Sequence, residues 1–278
     1  MPYRKESVIL RALNVFICQM NKTQKSLAGA FAAGLLCVFG FAPFGIFVIP
    51  VLALAALFSL WSHADSRSAA AWLGFAFGLG LFVAGIGWIY VALHDYGGMP
   101  LALALPATLL FAAFLALFPA LGGYVQARLL ASGEIRAALV MPAAWVLIEW
   151  LRGTIFTGFP WLTFGYAHHD SPLAGYAPLF GVYGVSLVAA VSAGLLATLL
   201  RERRSRMGQA ALAILAMLWI GGALLRNVTW TQPLGEPFSV ALVQGNIAQD
   251  IKFNEDALVG TLETYRRLAL QNPARLIV

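Results

Sequence analysis

The sequence predicts a polytopic α-helical membrane bundle of about seven spans, followed by the start of a water-exposed α/β segment. Three observations carry this reading. The chain has 278 residues, 60% of them hydrophobic and 11% charged, with a mean hydropathy of +0.80; a soluble domain carries about 25% charged residues. The apolar residues form continuous membrane-length runs rather than an alternating pattern, which selects helices over a β-barrel. Beyond Arg226 the character changes: Phe238–Phe253 reads FSVALVQGNIAQDIKF, a short apolar strand, a polar loop and the entry to a helix.

The elements follow in order. Residues 1–26 form an N-terminal extension, 27–226 the bundle and 227–278 the α/β segment. The expected spans are Leu27–Phe41, Ile46–Trp61, Ala71–Leu93, Leu101–Ala127, Ala137–Leu151, Ala174–Leu200 and Ala210–Leu225. The first and fifth are short for a core that needs about 20 helical residues, so flanking residues extend them or they bend. Ala42-Pro43-Phe44-Gly45 is the tightest link, with proline ending one helix and glycine allowing the reversal.

Charge placement sets the expected orientation. Arg4, Lys5, Arg11, Lys22 and Lys25 precede the first span. Arg67, the Arg128/Arg136 pair and the Arg201–Arg206 cluster fall on the same side if the spans alternate, while the opposite side carries Arg152. The positive-inside rule then places the N-terminus in the cytoplasm and the segment after Arg226 outside it. The net charge of +6 is therefore a topology signal, and no aromatic-interleaved basic patch points to nucleic acid.

Little else in the chain suggests redox or metal chemistry. Cys18 and Cys37 form no readable disulfide pattern. His63, His94, His168 and His169 lack metal-ligand partners at useful spacing and read as interfacial polar residues, so neither a metal nor a cofactor is expected.

Two features in the bundle invite a functional reading. The connection Arg152–Tyr176, RGTIFTGFPWLTFGYAHHDSPLAGY, is long for a bundle loop and is held by a Gly-Phe-Pro-Trp turn. It suits a platform for an acyl chain, and its Trp and Tyr residues taken singly read as interfacial anchors. Glu149 and Arg152 lie three apart near the end of the fifth span. They read either as a neutralising ion pair or as a grip on a lipid headgroup. No paired broken helices or relay charges favour a transporter.

In the last segment, Ser239–Val243 reads as a fully buried strand, ended by Gln244-Gly245-Asn246. Asn254 suits the N-cap of a helix over Glu255–Leu270, whose Leu258, Leu262, Tyr265 and Ala269 form an apolar stripe. Asn272-Pro273 stops it, and Arg275–Val278 begins a second strand, giving a βαβ opening.

With these residues in hand, the chain resembles the bacterial apolipoprotein N-acyltransferases. The resemblance covers nearly all of Phe39–Val278. It rests on GFAPFG (Gly40–Gly45), GLFVAGIGWIYVALHDYGGMP (Gly80–Pro100), EWLRG (Glu149–Gly153) with TGFPWLTFGYA (Thr157–Ala167), and VALVQGNIAQDIKF (Val240–Phe253). It implies that residues 227–278 open a periplasmic nitrilase-like domain. It also implies transfer of an acyl chain from a phospholipid donor to the α-amino group of the diacylglyceryl-Cys of an apolipoprotein, in the bacterial inner membrane. The reaction would be ping-pong through a Cys thioester, with a Glu base and a Lys charge stabiliser. That Glu follows the second strand in the family, so the triad is expected beyond Val278 and this chain alone is expected to be inactive. Lys252, Cys18 and Cys37 do not match the family's positions. Trp161 and Phe253 are the implied acyl-chain contacts; Phe253 stands where many members carry Trp. Glu149, Arg152, Gln244 and Gly245 complete the substrate-binding candidates. The alternative of a different class is a non-catalytic lipid- or lipoprotein-binding membrane protein.

Overall fold

The computed structural model describes residues 21–129, 133–252 and 255–278. Cys18, Phe253 and Asn254 lie outside the described residues. The described residues divide into two compact units, those within 1–89 and 105–228 forming one and those within 90–104 and 229–278 the other.

The first unit is helical: α1 (Lys22–Cys37), α2 (Val48–Ser62), α3 (Arg67–Gly85), α4 (Leu101–Gln126, of which residues 105–126 belong here), α5 (Met141–Thr154), α6 (Ala177–Arg201) and α7 (Arg206–Leu225). Asn21 and Gln24 close a reciprocal capping box that starts α1, and Ser66 and Ser205 cap α3 and α7. α1 and α3 pack backbone to backbone. A Cβ on Gly34 would lie 2.0 Å from the Phe77 carbonyl oxygen, and one on Gly80 would lie 2.2 Å from that of Phe31. Small residues allow this approach, which suits helix pairs in lipid, where packing replaces hydrophobic driving force.

Among the described residues, five helical stretches are long and apolar enough to cross a membrane: Arg67–Gly85, Leu101–Gln126, Gly133–Thr157, Pro172–Arg201 and Arg206–Leu225. The expectation of about seven spans is not confirmed by these stretches. α1 and α2 have 16 and 15 residues, short of the roughly 20 that a full crossing needs. The third expected span also ends early. α3 stops at Gly85, where Ile86 leaves helical geometry, and a short helix and π-turn (Ala92–Tyr96) follow instead. The fifth is longer than expected, because a π-helical turn at Arg136–Val140 and a 3₁₀ turn at Ile155–Thr157 extend α5 at both ends.

The largest buried side chains of this unit's core are aromatic. Trp61 is fully buried, stacks on Phe58 at 5.6 Å and donates its indole N–H to the Ala70 carbonyl at 2.9 Å. Trp145 sits edge-on between Phe77 and Phe164 at 5.7 and 4.9 Å. Apolar side chains also cover the outside: Trp72, Leu110, Met217 and Leu224 are all more than half exposed. Lipid is the solvent in which such a surface is stable.

The second unit contains the expected βαβ order. β1 (Val240–Ala241) pairs in parallel with β2 (Leu276–Ile277), and α8 (Glu255–Gln271) is the crossover. Ladder bonds continue past the strands: Val243 N–H donates to Val278 O at 2.7 Å, and Val278 N–H to Ala241 O at 2.9 Å. The expectation of fully buried strands is corrected. Val240, Leu242, Leu276 and Ile277 are all exposed, because two short strands and one helix cannot cover both faces of a sheet.

Candidate functional site

The Ile155–Tyr176 connection is built on two charged side chains from α5. One turn of helix places Glu149 and Arg152 on the same face, and both are buried, at 3% and 4% exposure. Arg152 Nη1 donates to the carbonyl oxygens of Phe159 and Trp161, both at 2.5 Å, and Nη2 reaches Thr163 Oγ1 at 3.4 Å. The return bond runs from Phe159 N–H to the Arg152 carbonyl at 2.8 Å. Glu149 Oε1 accepts from Phe164 N–H at 2.8 Å, and the next amide, Gly165 N–H, donates to Ser186 Oγ of α6 at 2.8 Å. Glu149 Oε2 and Trp145 Nε1 are buried without a hydrogen bond among the described residues, beside a cavity of about 10 Å³ that Arg152 and Leu162 also line.

The pair therefore fastens the loop. Direct pairing and headgroup gripping were the two sequence readings. The structure directs the bonds of both residues into the loop backbone and buries them beneath it.

The loop held this way is strained. Phe156, Thr157 and Leu162 have φ of 54°, 71° and 60°. This region is uncommon for any residue with a Cβ and an outlier for a β-branched one. Gly158 has φ 81°, and a Cβ there would lie 2.1 Å from the Gly153 carbonyl oxygen. Such conformations cost about 1–3 kcal/mol each and persist where the surroundings over-determine them. Here the fasteners are the Arg152 and Glu149 bonds and the Thr163 hydroxyl, which donates to Pro160 O at 2.7 Å.

The strain displays an aromatic surface. Phe159 stacks on Trp161 at 5.0 Å and on Trp88 at 6.5 Å, and Phe111 meets Phe159 edge-on at 5.2 Å. Phe156 is 79% exposed, Trp161 49% and Trp88 47%. Rings backed by other rings and open on one side make a rigid apolar shelf. Sequence reasoning found Trp161 but not Phe156, Trp88 or Phe159; the aromatic density of the two matching stretches was the available signal.

His168 is a correction. It was expected to be an interfacial polar residue, yet it is fully buried beside Phe47 and Trp219, with Nδ1 3.0 Å from Ser171 Oγ. Its Nε2 has no hydrogen-bond partner among the described residues, and burial lowers its pKa to about 4. His169 keeps the expected character, exposed and 2.8 Å from Asp170.

The remaining candidates lie in the second unit. Gln244 and Gly245 follow β1, and a Cβ on Gly245 would lie 2.7 Å from the Tyr265 ring, so α8 packs directly on this turn. Asn246, with φ 50°, completes it. Phe253 lies outside the described residues.

Comparison with known proteins fits this arrangement. A family model described as apolipoprotein N-acyltransferase N-terminal domain matches residues 33–195, which include the whole fastened loop. A curated apolipoprotein N-acyltransferase of Nitrosomonas europaea is 48% identical over 257 residues, covering 91% of this chain and 50% of the relative. Those of Ralstonia nicotianae and Methylococcus capsulatus are 45% and 44% identical, covering 88% and 91% of this chain and 47% and 50% of theirs. The chain spans about half the length of the curated relatives it matches. On this evidence it belongs to the apolipoprotein N-acyltransferase family and matches the N-terminal half of its members.

Proposed function

We propose that this chain supplies the membrane portion of an apolipoprotein N-acyltransferase acting in lipoprotein maturation. The observation that carries the reading is the loop 155–176, whose strained backbone is fastened by Arg152 and Glu149 and whose open face is aromatic. In this role Trp161, with Phe156 and Trp88, receives the acyl chain of the phospholipid donor. Glu149 and Arg152 act as positioning residues beneath it. Gln244, Gly245 and Phe253 belong to the opening of a nitrilase-like domain, where the diacylglyceryl apolipoprotein is bound.

The chemistry is acyl transfer in two steps. A cysteine thiolate attacks the phospholipid ester carbonyl, the C–O bond breaks and a lysophospholipid leaves. The α-amine of the apolipoprotein then attacks the thioester, the C–S bond breaks and an amide forms. A Glu moves the protons and a Lys stabilises the oxyanion. None of these three roles falls to a residue of this sequence. Cys37 is fully buried within α1, where a thiol is inert.

The basic loops support a bacterial inner-membrane orientation with a cytoplasmic N-terminus and a periplasmic α/β segment. An alkaline phosphatase fusion after Trp230 should then be active and one after Arg204 silent; the reverse pattern contradicts the orientation. The function itself is tested by returning the native gene to cells depleted of N-acyltransferase and weighing the N-terminal peptide of a lipoprotein. The triacyl form is expected. Persistence of the diacyl form, with the protein folded in the membrane, would leave lipid or lipoprotein binding without catalysis as the account.

A further inference from the structure

A second lipid-sized site lies at the other end of the first unit. A cavity of about 290 Å³ opens among Lys22, Thr23 and Ser26 of α1 and His63 and Asp65 after α2, with Trp72 of α3 in its wall. An apolar groove of about 600 Å³ shares that same Trp72 and continues between α3 and α4 along Phe75, Leu110, Phe114 and Leu117. These volumes lie in or near the range of ligand sites, about 300–1,000 Å³.

The first space carries polar groups among apolar ones, and the second carries none. The first is lined by an ammonium, two hydroxyls, an imidazole and a carboxylate together with Leu27, Leu60, Ala64, Ala69 and Leu73. The second is lined entirely by Ala, Leu, Phe and Trp. Charge favours an anionic head, because Lys22 lines the cavity and Lys25 and Arg67 also stand in the first turns of α1 and α3, while Asp65 is the one acid among its described lining residues. The dipoles of those two helix starts act in the same direction. Trp72 is 59% exposed and edge-on to Phe75 at 5.6 Å, the placement of an interfacial aromatic.

The site is separate from the fastened loop. Leu162 of that loop lies against Gly85, 13 residues along α3 from Trp72, which is about 20 Å at 1.5 Å per residue. The two sites therefore lie toward opposite ends of α3.

We infer that the chain binds an anionic glycerophospholipid from the leaflet on its basic side, with the phosphate at Lys22, Thr23 and Ser26 and one acyl chain in the Trp72–Leu117 groove. The test uses the full-length native protein in detergent and native mass spectrometry to measure affinity for phosphatidylglycerol. Lys22→Glu should weaken binding about tenfold. Leu117→Trp, which fills the groove and leaves the headgroup cavity intact, should do the same, so the test survives if one variant fails to fold. Glycerol 3-phosphate should not compete. The inference is overturned if both folded variants bind as the parent does, if Arg203→Glu weakens binding as much as Lys22→Glu, or if glycerol 3-phosphate displaces the lipid. The last two outcomes would mean general surface charge or a free phosphate site.

Discussion

The fastened loop and the βαβ segment handle backbone strain in opposite ways. In the loop, left-handed geometry falls on Phe156, Thr157 and Leu162, residues that disfavour it. It is held there by buried charged side chains donating to and accepting from main-chain groups. In the βαβ segment the left-handed non-glycine residue among the described ones is Asn246, which tolerates that geometry, and the apolar strand residues stand open. Strain is therefore concentrated where burial and charge can hold it, which is the mark of a pre-organised site.

The comparison can be broken most directly at Arg152. Arg152→Gln leaves the Phe159 and Trp161 carbonyls without their donor and Glu149 without its nearby cation. The expected loss is about 3–5 kcal/mol, read as a fall in thermal midpoint in detergent and as new proteolytic cleavage between Phe156 and Thr163. A variant with parental stability and an uncut loop would make the fastening incidental.

Acid should weaken the same region by a similar or smaller amount. The His168 pKa is about 4 in the fold against 6.5 for the free side chain. The folded state thus holds the ring neutral while the unfolded chain takes up a proton. The stability it contributes is complete above pH 6.5 and is lost as pH falls toward 4. The loss totals about 3 kcal/mol at 1.36 kcal/mol per unit. His168→Asn should flatten that part of the stability–pH curve, and an unchanged curve would contradict the assignment.

Gly158→Ala should cost about 2 kcal/mol, because the new methyl meets the Gly153 carbonyl and φ is positive. At the other extreme, Leu242→Ser in the βαβ segment should change stability by less than about 0.5 kcal/mol, since Leu242 is 80% exposed. A loss above about 2 kcal/mol there would show a covered sheet and erase the contrast between the regions.

Hydropathy made the bundle legible, and strand–turn–helix punctuation made the βαβ order legible. What escaped had physical reasons. The end of α3 at Gly85 lies inside an unbroken apolar run, so composition hid it. The distinct fates of His168 and His169 depend on which of two identical neighbours turns toward Phe47 and Trp219. The strain at Phe156, Thr157 and Leu162 had no local signature, because tertiary bonds impose it against the residues' own preference. Glu149 and Arg152 stood out as ionisable residues in an apolar helix, but their partners are loop carbonyls and amides that any sequence would carry.

The claim that the fastened loop is an acyl-chain platform is tested most directly by acyl transfer in the full-length native protein, comparing Trp161→Ala with the parent on long-chain and short-chain phospholipid donors. The account predicts that kcat/KM falls at least about tenfold, or about 1.4 kcal/mol, for the long-chain donor and less than about twofold for the short-chain one. Equal losses with both donors, or no loss with either, would contradict it.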